Sequence, residues 1–137
     1  MKHIPKYDEV FHFRVALHPE KVRELIPDVK RILKGVKFEA IAFRGNSGAL
    51  IAPIVALHLK KTLIMVRKTT EGTHSYKMVE GDWAAKRYII VDDCIDTGKT
   101  ARVIQREIKT WSSAECLGVL TMNHVDEGLR TDWMERE

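Results

Sequence analysis

Short apolar segments alternate with amphipathic ones along most of this 137-residue sequence. Four segments have the length and composition of buried strands, and they span residues 38–43, 62–66, 87–91 and 116–120. Around them, apolar residues recur at helical spacing over 19–33, 49–59 and 101–111. Strands that are apolar throughout are typical of parallel sheets covered by helices on both faces. The pattern predicts an α/β fold with a parallel, doubly wound sheet of four to five strands and flanking helices.

Three further features refine this prediction. Phe11, Phe13 and Val15 alternate with less apolar residues, which predicts a short strand before the first helix. Pro27 lies inside that helix and is expected to kink or split it. Residues 69–82 are polar, contain two glycines and lack a helical period. They predict a long mobile loop, a feature that is usually functional inside a compact domain.

Composition and length narrow the class of protein. An apolar fraction of 45% excludes wholesale disorder, and the length suits a single domain spanning 1–137. No apolar run approaches the roughly 20 residues of a membrane span, so no membrane partner is expected. Cys94 and Cys116 form no CxxC pair and the charged start is no secretory signal, which predicts a reduced, cytoplasmic protein. The net charge of +4 suits a small anionic ligand as well as a nucleic acid.

The segment 88–100, YIIVDDCIDTGKT, carries the strongest chemical signal. In a doubly wound sheet, ligands bind beyond the carboxyl ends of the strands, and here a strand delivers Asp92 and Asp93 to that edge. Residues 97–100 then lead into a helix, whose unpaired backbone N–H groups and positive dipole end suit a phosphate. Two adjacent carboxylates can accept hydrogen bonds from ribose hydroxyls or help to hold a hydrated Mg²⁺. The residues alone therefore indicate a phosphorylated sugar as the ligand.

Two alternative interpretations account for less of this segment. A Walker A loop needs a glycine five residues before Gly98, where this sequence has Asp93. A helix N-cap by Asp96 or Thr97 is compatible with the sequence, but capping alone does not explain three aspartates within five residues. The six histidines have no metal-binding spacing, so a structural metal site is not expected.

The same 13 residues resemble the signature with which type I phosphoribosyltransferases bind phosphoribosyl pyrophosphate (PRPP). That signature is an apolar strand, two acidic residues, two variable positions around an aliphatic one, and then TGxT. Upstream, residues 41–68 are similar to the segment of adenine phosphoribosyltransferases that runs from an RG turn through an AP.AL helix to a VRK strand end. The resemblance covers residues 38–121 and implies a core at 36–122, with candidate hood segments at 1–17 and 123–137.

The resemblance also implies which residues form the site. These are Asp96, Thr97, Gly98, Lys99 and Thr100 for the 5′-phosphate; Asp92 and Asp93 for the ribose hydroxyls and for Mg²⁺, directly or through water; Arg44, Gly45 and Lys68 for pyrophosphate; and Ser75 and Tyr76 in the mobile loop. In this family the turn that corresponds to 43–46 binds pyrophosphate through backbone amides and often contains a non-proline cis peptide. The loop is expected to close over the site and exclude water.

The activity implied is transfer of the phosphoribosyl group from PRPP to a nitrogenous base, with release of pyrophosphate. Asp96 is similar to the acid–base aspartate of the 6-oxopurine members, which favours such a purine and a role in purine salvage. Against this, no lysine follows the strand that ends near Thr121, and residues 44–68 are adenine-like. The acceptor therefore stays open between a purine and another base. Trp133 is a candidate for stacking on the base, with packing at a dimer contact as the alternative.

A second hypothesis is a PRPP-sensing regulator of the same fold that binds nucleic acid. It predicts a basic face remote from the site, for which the candidates are Lys30, Arg31, Lys34, Lys37, Lys60 and Lys61. A solvated helix surface explains these residues more simply, so nucleic acid is not the expected partner. The resemblance implies PRPP, a nucleobase and a second copy of the chain as partners, and Mg²⁺ as the cofactor.

Overall fold

The computed structural model describes residues 15–68, 77–95 and 97–134. These ranges form three α-helices, six β-strands and one 3-10 helix. In chain order the elements are α1 (Pro19–Ile32), β1 (Ala40–Arg44), α2 (Gly45–Leu59), β2 (Thr62–Val66), β3 (Val79–Gly81), β4 (Arg87–Asp92), α3 (Lys99–Trp111), β5 (Glu115–Thr121), the 3-10 helix (Met122–Glu127) and β6 (Leu129–Arg130).

The strands form one sheet in the order β3-β2-β1-β4-β5-β6. The four central strands are parallel, which confirms the predicted α/β architecture. β3 and β6 add an antiparallel strand at each edge, so the sheet has six strands where four to five were expected. These edge strands have three and two residues, too few for a period-two pattern to be recognised in the sequence. β3 also lies within the predicted loop 69–82, whose last part is therefore a strand.

Helices cover both faces of the sheet because side chains alternate along the strands. On β1, Phe43 packs in the cluster formed with α1 and α2, whereas Ala42 packs in the cluster formed with α3. β4 pairs with β1 so that Ile90 lies beside Ala42, and the side chains of β4 alternate between the two faces in the same way. Because the alternation continues to the carboxyl ends of β1 and β4, Arg44 and Asp92 lie on the α3 side of the sheet.

The first helix differs from its prediction. α1 runs unbroken from Pro19 to Ile32, so Pro27 does not split it. Pro27 is exposed, and the buried stripe that includes Val22 and Val29 holds the helix on the core despite the missing N–H group. The strand predicted around Phe11 to Val15 lies outside the described residues except for Val15, which is in a turn.

The second helix begins earlier than predicted. α2 starts at Gly45, directly after β1, and Arg44 is its N-cap residue in an extended conformation. The segment 45–48 carries two glycines, which disfavour a helix by propensity, so the sequence pattern indicated a start only at residue 49. Because the segment 45–48 is helical, the N-terminus of α2 lies at the carboxyl edge of the sheet.

Candidate functional site

The carboxyl ends of three adjacent parallel strands bring the predicted polar residues to one edge of the sheet. In the order β2-β1-β4, Lys68 follows the first strand, Arg44 ends the second and Asp92 ends the third. The positive charge of Lys68 acts electrostatically on the Asp92 carboxylate. Three segments that are far apart in the sequence therefore meet at one site, as the parallel sheet predicts.

The turn from β1 into α2 forms one side of this site. Gly45 has φ +79°, and a Cβ there would lie 3.0 Å from Lys68 Cε, so the lysine side chain lies directly across the glycine. Both residues line a cavity of about 220 Å³. Arg44 Nε is buried and has no hydrogen-bond partner in the described part of the chain. No described peptide bond is cis, so the expected cis peptide at 43–46 is absent, and Gly45 reverses the chain by its positive φ instead.

Asp92 ends β4 and Asp93 follows it, so that a half-buried and a buried carboxylate are adjacent. Asp93 is 7% exposed, and its Oδ1 accepts a hydrogen bond from the Cys94 N–H at 2.7 Å. Asp92 Oδ1 accepts one from the Asp93 N–H at 2.8 Å. Burial and then the charge of Asp93 raise the pKa of Asp92 to about 7, a rise that Lys68 opposes. Two carboxylates in this setting are stabilised by a cation or by hydroxyl donors.

The donor chemistry of this pair fits Mg²⁺. Magnesium prefers oxygen ligands, keeps several of its own waters and commonly uses one or two carboxylates together with substrate oxygens. Among the residues that the structure describes, no group of three or more His, Cys, Asp or Glu side chains is placed to hold a metal. A magnesium ion at Asp92 and Asp93 would therefore be held jointly with water and ligand oxygens.

The N-terminus of α3 forms the other side of the site. Gly98, at φ +80°, is the N-cap residue of α3 and has no side chain with which to cap the helix. The first turn contains no acidic residue, but it contains Lys99 and Arg102. Cations at a helix N-terminus oppose the helix dipole, so an anion bound there would offset an unfavourable arrangement. This turn lines a cavity of about 310 Å³ together with Asp92, Asp93 and Thr97.

Two residues that sequence reasoning did not assign to this turn hold it in place. Arg102 Nη1 donates a hydrogen bond to the Thr97 carbonyl oxygen at 3.1 Å, and the Thr97 hydroxyl accepts one from the Lys99 N–H at 3.3 Å. A Cβ on Gly98 would lie 2.7 Å from Trp133 Cβ and 2.8 Å from Arg102 Nη1. The only available signal for Arg102 was its charge, which is unusual in the first turn of a helix.

The structure puts Trp133 beneath the turn and not at an open face of the cavity. Its side chain belongs to the cluster on the α3 side of the sheet and is 7% exposed. Its indole N–H donates to the Arg130 carbonyl oxygen at 3.2 Å. The stacking of Trp133 on a base stays a prediction; in this structure the side chain is buried and packs against the turn at Gly98.

Several predicted site residues fall outside the described ranges. Asp96, Ser75 and Tyr76 are among them, and so is most of the candidate hood segment 1–17. Within the described part, Thr100 and Cys94 line the cavity at the α3 N-terminus. None of the described helices is long and apolar enough to cross a membrane.

Two residues of the candidate basic face, Lys61 and Arg31, make contacts with other residues of the chain. Lys61 donates to the Phe38 carbonyl oxygen at 2.8 Å, and its ammonium lies 4.5 Å from the centre of the Phe38 ring. Arg31 forms an ion pair with Asp28. The remaining candidates, Lys30, Lys34, Lys37 and Lys60, are exposed.

Sequence comparison finds phosphoribosyltransferases. An orotate phosphoribosyltransferase from Pyrobaculum aerophilum is 31% identical over 103 residues, which are 74% of this chain and 53% of that protein. An adenine phosphoribosyltransferase from Bifidobacterium longum is 36% identical over 81 residues, which are 48% of this chain and 42% of that protein. The chain thus spans about half the length of the curated relatives it matches. No protein-family model matches the sequence.

Structural comparison gives the same fold. The crystal structure of Mycobacterium tuberculosis orotate phosphoribosyltransferase in complex with PRPP superposes with a TM-score of 0.59. The match covers 83% of this chain and 69% of that one at 19% identity. At this identity the likeness is evidence of the fold alone. The fold is that of the type I phosphoribosyltransferases, which confirms the fold predicted from the sequence.

Proposed function

We infer that this chain, a member of the type I phosphoribosyltransferase family, transfers the phosphoribosyl group of PRPP to a nucleobase. The observation that carries the proposal is the cationic N-terminus of α3, which begins at Gly98, beside the buried Asp93 and the half-buried Asp92. An anion-binding turn next to two carboxylates matches a sugar phosphate, which offers a phosphate to one and hydroxyls to the other. The names of the relatives agree with this class of reaction.

The 5′-phosphate is assigned to the turn at 97–100. Gly98, Lys99 and Thr100 line the cavity at the N-terminus of α3, where the dipole favours negative charge. We assign the backbone N–H groups of Gly98 and Thr100 to the phosphate, since the Lys99 N–H donates to the Thr97 hydroxyl. The Thr97 and Thr100 hydroxyls add donors. Lys99 and Arg102 supply positive charge, and Arg102 also holds the Thr97 carbonyl. Asp96 is included in this group by the sequence resemblance.

Asp92 and Asp93 are assigned to the ribose. Their carboxylates accept hydrogen bonds from the 2′- and 3′-hydroxyls, which fixes the sugar relative to the phosphate turn. A magnesium ion held by the same carboxylates would supply positive charge for the pyrophosphate leaving group. Lys68 acts electrostatically on Asp92 and lies beside Gly45 of the β1–α2 turn, so it links this pair to the pyrophosphate side.

Pyrophosphate is assigned to the β1–α2 turn. Asn46, at the N-terminus of α2, and Lys68 line the cavity beside Gly45, and Arg44 is included in this group by the sequence resemblance. Arg44 Nε is a buried donor with no hydrogen-bond partner in the described part of the chain. Ser75 and Tyr76, in the segment predicted to close over the site, are proposed to exclude water, since hydrolysis of PRPP is the wasteful side reaction.

The chemistry is a substitution at the anomeric carbon. The bond from C1 to the pyrophosphate oxygen breaks, a bond from C1 to a base nitrogen forms, and the proton of that nitrogen leaves. Positive charge develops on the sugar, so the residues work by positioning and charge stabilisation. Asp96 is the proposed acid–base group for the base nitrogen, and Asp92 and Asp93 are the proposed catalytic carboxylates on the ribose.

The acceptor is proposed to be orotate or adenine. These are the bases in the names of the relatives, whereas the 6-oxopurine preference rests on Asp96 alone. An adenine acceptor would make the reaction a step of purine salvage. An orotate acceptor would make the reaction a step of pyrimidine synthesis. The cytoplasmic location stays a prediction from the sequence, and the homodimer is proposed here from the family resemblance.

The test is pyrophosphate release from PRPP and Mg²⁺ with a panel of acceptors: orotate, adenine, hypoxanthine, guanine, xanthine, uracil and nicotinamide. We expect release that depends on one base of the panel. The Asp93→Asn variant should lose this release, while Lys34→Ala, an exposed lysine remote from the site, should keep it. If PRPP binds but no base supports release, the regulatory hypothesis replaces the enzyme.

A further inference from the structure

The peptide that joins Thr97 to Gly98 is held at one end only. Its carbonyl oxygen accepts a hydrogen bond from Arg102 Nη1 at 3.1 Å. Its N–H group, which belongs to Gly98, makes no hydrogen bond within the described part of the chain. A side chain therefore binds the carbonyl of this peptide, and the N–H is available to a ligand.

The geometry of a peptide links these two ends. A trans peptide is planar, so its carbonyl and its N–H point in opposite directions, and no described peptide bond is cis. By holding the Thr97 carbonyl, Arg102 therefore directs the Gly98 N–H away from the guanidinium. The described residues that line the cavity at the N-terminus of α3 include Thr97 and Gly98 but not Arg102. The side away from the guanidinium is thus the side of the cavity.

The backbone of Gly98 does not fix this orientation by itself. Gly98 has φ +80°, and rotation of the peptide would bring φ to a negative value, which glycine adopts about equally well. In the rotated form the Thr97 carbonyl oxygen would face the cavity, where its partial negative charge would repel an anion. A contact that keeps the carbonyl on the far side therefore favours anion binding without touching the anion.

The position of Arg102 suits this role and is otherwise unfavourable. Its backbone N–H donates to the Gly98 carbonyl oxygen at 2.9 Å, and helical side chains lean toward the N-terminus, so the guanidinium reaches back to the turn. A cation there opposes the helix dipole. Within the described ranges Arg102 has no carboxylate partner that would offset this cost. The contact with the Thr97 carbonyl is what the side chain contributes.

We propose that Arg102 is a positioning residue for phosphate binding. It holds the peptide between Thr97 and Gly98 with the carbonyl away from the cavity and the N–H directed to the 5′-phosphate. The inference rests on the proposed function, which assigns that phosphate to the turn at 97–100. Because Arg102 acts through one peptide, its effect is confined to the 5′-phosphate end of the ligand.

The first test is titration calorimetry with PRPP, ribose 5-phosphate and pyrophosphate, each with Mg²⁺. Arg102→Met should weaken binding of PRPP and of ribose 5-phosphate by the same factor, about 10- to 100-fold, since both lose a hydrogen bond to a charged group. Pyrophosphate, which is assigned to the β1–α2 turn, should bind as before. Arg102→Lys keeps a donor for the carbonyl and should recover most of the affinity. Arg106→Met, exposed one helical turn further along α3, is the control and should bind all three ligands like the unmodified protein.

Steady-state kinetics give a second readout of the same variants. The 5′-phosphate is not altered in the reaction, so its contacts contribute equally to binding of substrate and transition state. Arg102→Met should therefore raise the KM for PRPP and leave kcat nearly unchanged. Circular dichroism should show that each variant folds, and Arg102→Gln replaces Arg102→Met in both assays if the methionine variant does not.

The second test observes the amide itself by NMR. Nitrogen-15 labelling of the eight glycines gives one amide resonance for each, and the resonance missing from Gly98→Ala identifies Gly98. Saturating ribose 5-phosphate should shift this resonance strongly downfield in the unmodified protein, because the N–H forms a charge-assisted hydrogen bond. In Arg102→Met, also at saturation, the shift should be much smaller.

Three results would overturn the proposal and leave the proposed function intact. They are equal affinities of Arg102→Met and the unmodified protein for ribose 5-phosphate, a loss of pyrophosphate affinity by the same factor, and equal shifts of the Gly98 amide in both proteins. An unmodified protein that binds neither PRPP nor ribose 5-phosphate would refute the proposed function itself, and this inference with it.

Discussion

Substituting Gly98 by alanine tests whether the turn at the N-terminus of α3 has to keep its shape to bind PRPP. Gly98 has φ +80°, a conformation that costs an L-residue about 1 kcal/mol. Its new Cβ would also lie 2.7 Å from Trp133 Cβ and 2.8 Å from Arg102 Nη1, well inside van der Waals contact. Arg102 can move, but a backbone-attached Cβ cannot move alone. The turn must therefore shift.

The structure offers a control that separates these two effects. Gly35 has φ +81°, but a Cβ there would have no atom within 4 Å. Gly35→Ala should therefore lose about 1 kcal/mol of unfolding free energy from backbone strain alone. Gly98→Ala should lose a further 1–3 kcal/mol or so, because overpacking adds its own cost. The difference between the variants isolates the collision with Trp133 and Arg102.

The two assays are urea unfolding and titration calorimetry with PRPP and Mg²⁺. Gly98→Ala should weaken PRPP binding at least about 100-fold, since displaced amides lose charge-assisted hydrogen bonds to the phosphate. Gly35→Ala should bind PRPP like the unmodified protein. Equal stabilities for the two variants, or normal PRPP affinity of Gly98→Ala, would refute the reasoning.

Three other predictions concern single side chains. Lys68→Met should weaken PRPP binding about 10-fold or more in calorimetry because it removes the cation that lies beside Gly45 and acts on Asp92. The exposed Lys86→Met should not weaken binding, and equal affinities for the two variants would remove Lys68 from the site. Burial raises the pKa of the Cys116 thiol from 9.0 to about 11, so its contribution to stability is present below pH 9 and is lost as the pH rises through 11. Between pH 8.5 and 11, the free energy of unfolding measured with urea should fall by about 2 kcal/mol more for the unmodified protein than for Cys116→Ala. Parallel pH profiles of the two proteins would contradict this. Trp133→Ala should lower PRPP affinity as well as stability, while Trp133→Phe should largely retain both; a stability loss with unchanged affinity would limit Trp133 to a structural role.

Much of the core could be predicted because its signal is strong and repeated. Each central strand is an apolar run, and β2 has the predicted bounds, Thr62–Val66. Such runs have to be buried on both faces, which fixes a parallel sheet with helices on either side. The edge strands β3 and β6 carry no comparable signal because they are short and half in water. Their pairing is decided by neighbouring strands that the local sequence does not reveal.

The meeting of Arg44, Lys68 and Asp92 could also be predicted. Parallel strands that are neighbours in a sheet end at the same edge, so polar residues placed just after them converge. Arg102 was missed, and the packing of Trp133 against Gly98 was not predicted, because both depend on which side of α3 packs against the last described segment. Trp133 approaches Gly98 only through that packing, and no spacing in the sequence encodes it.

The acceptor is the least predictable part of the site. Base contacts in such a fold come from loops and terminal segments, which lack the periodicity that identifies strands and helices. Asp96 favoured a 6-oxopurine, whereas the relatives that the chain matches are named for orotate and adenine. One residue at a loop position is weak grounds for choosing among bases, since selectivity depends on several hydrogen bonds arranged together.

The measurement that tests the central claim most directly is phosphorus-31 NMR of PRPP and Mg²⁺ incubated with the protein and either orotate or adenine. The proposed function predicts that the PRPP resonances disappear only when the accepted base is present. Pyrophosphate and a nucleoside 5′-monophosphate should then appear in equal amounts. Unchanged PRPP with every base, or its decay to ribose phosphate and pyrophosphate at a rate that does not depend on a base, would contradict it.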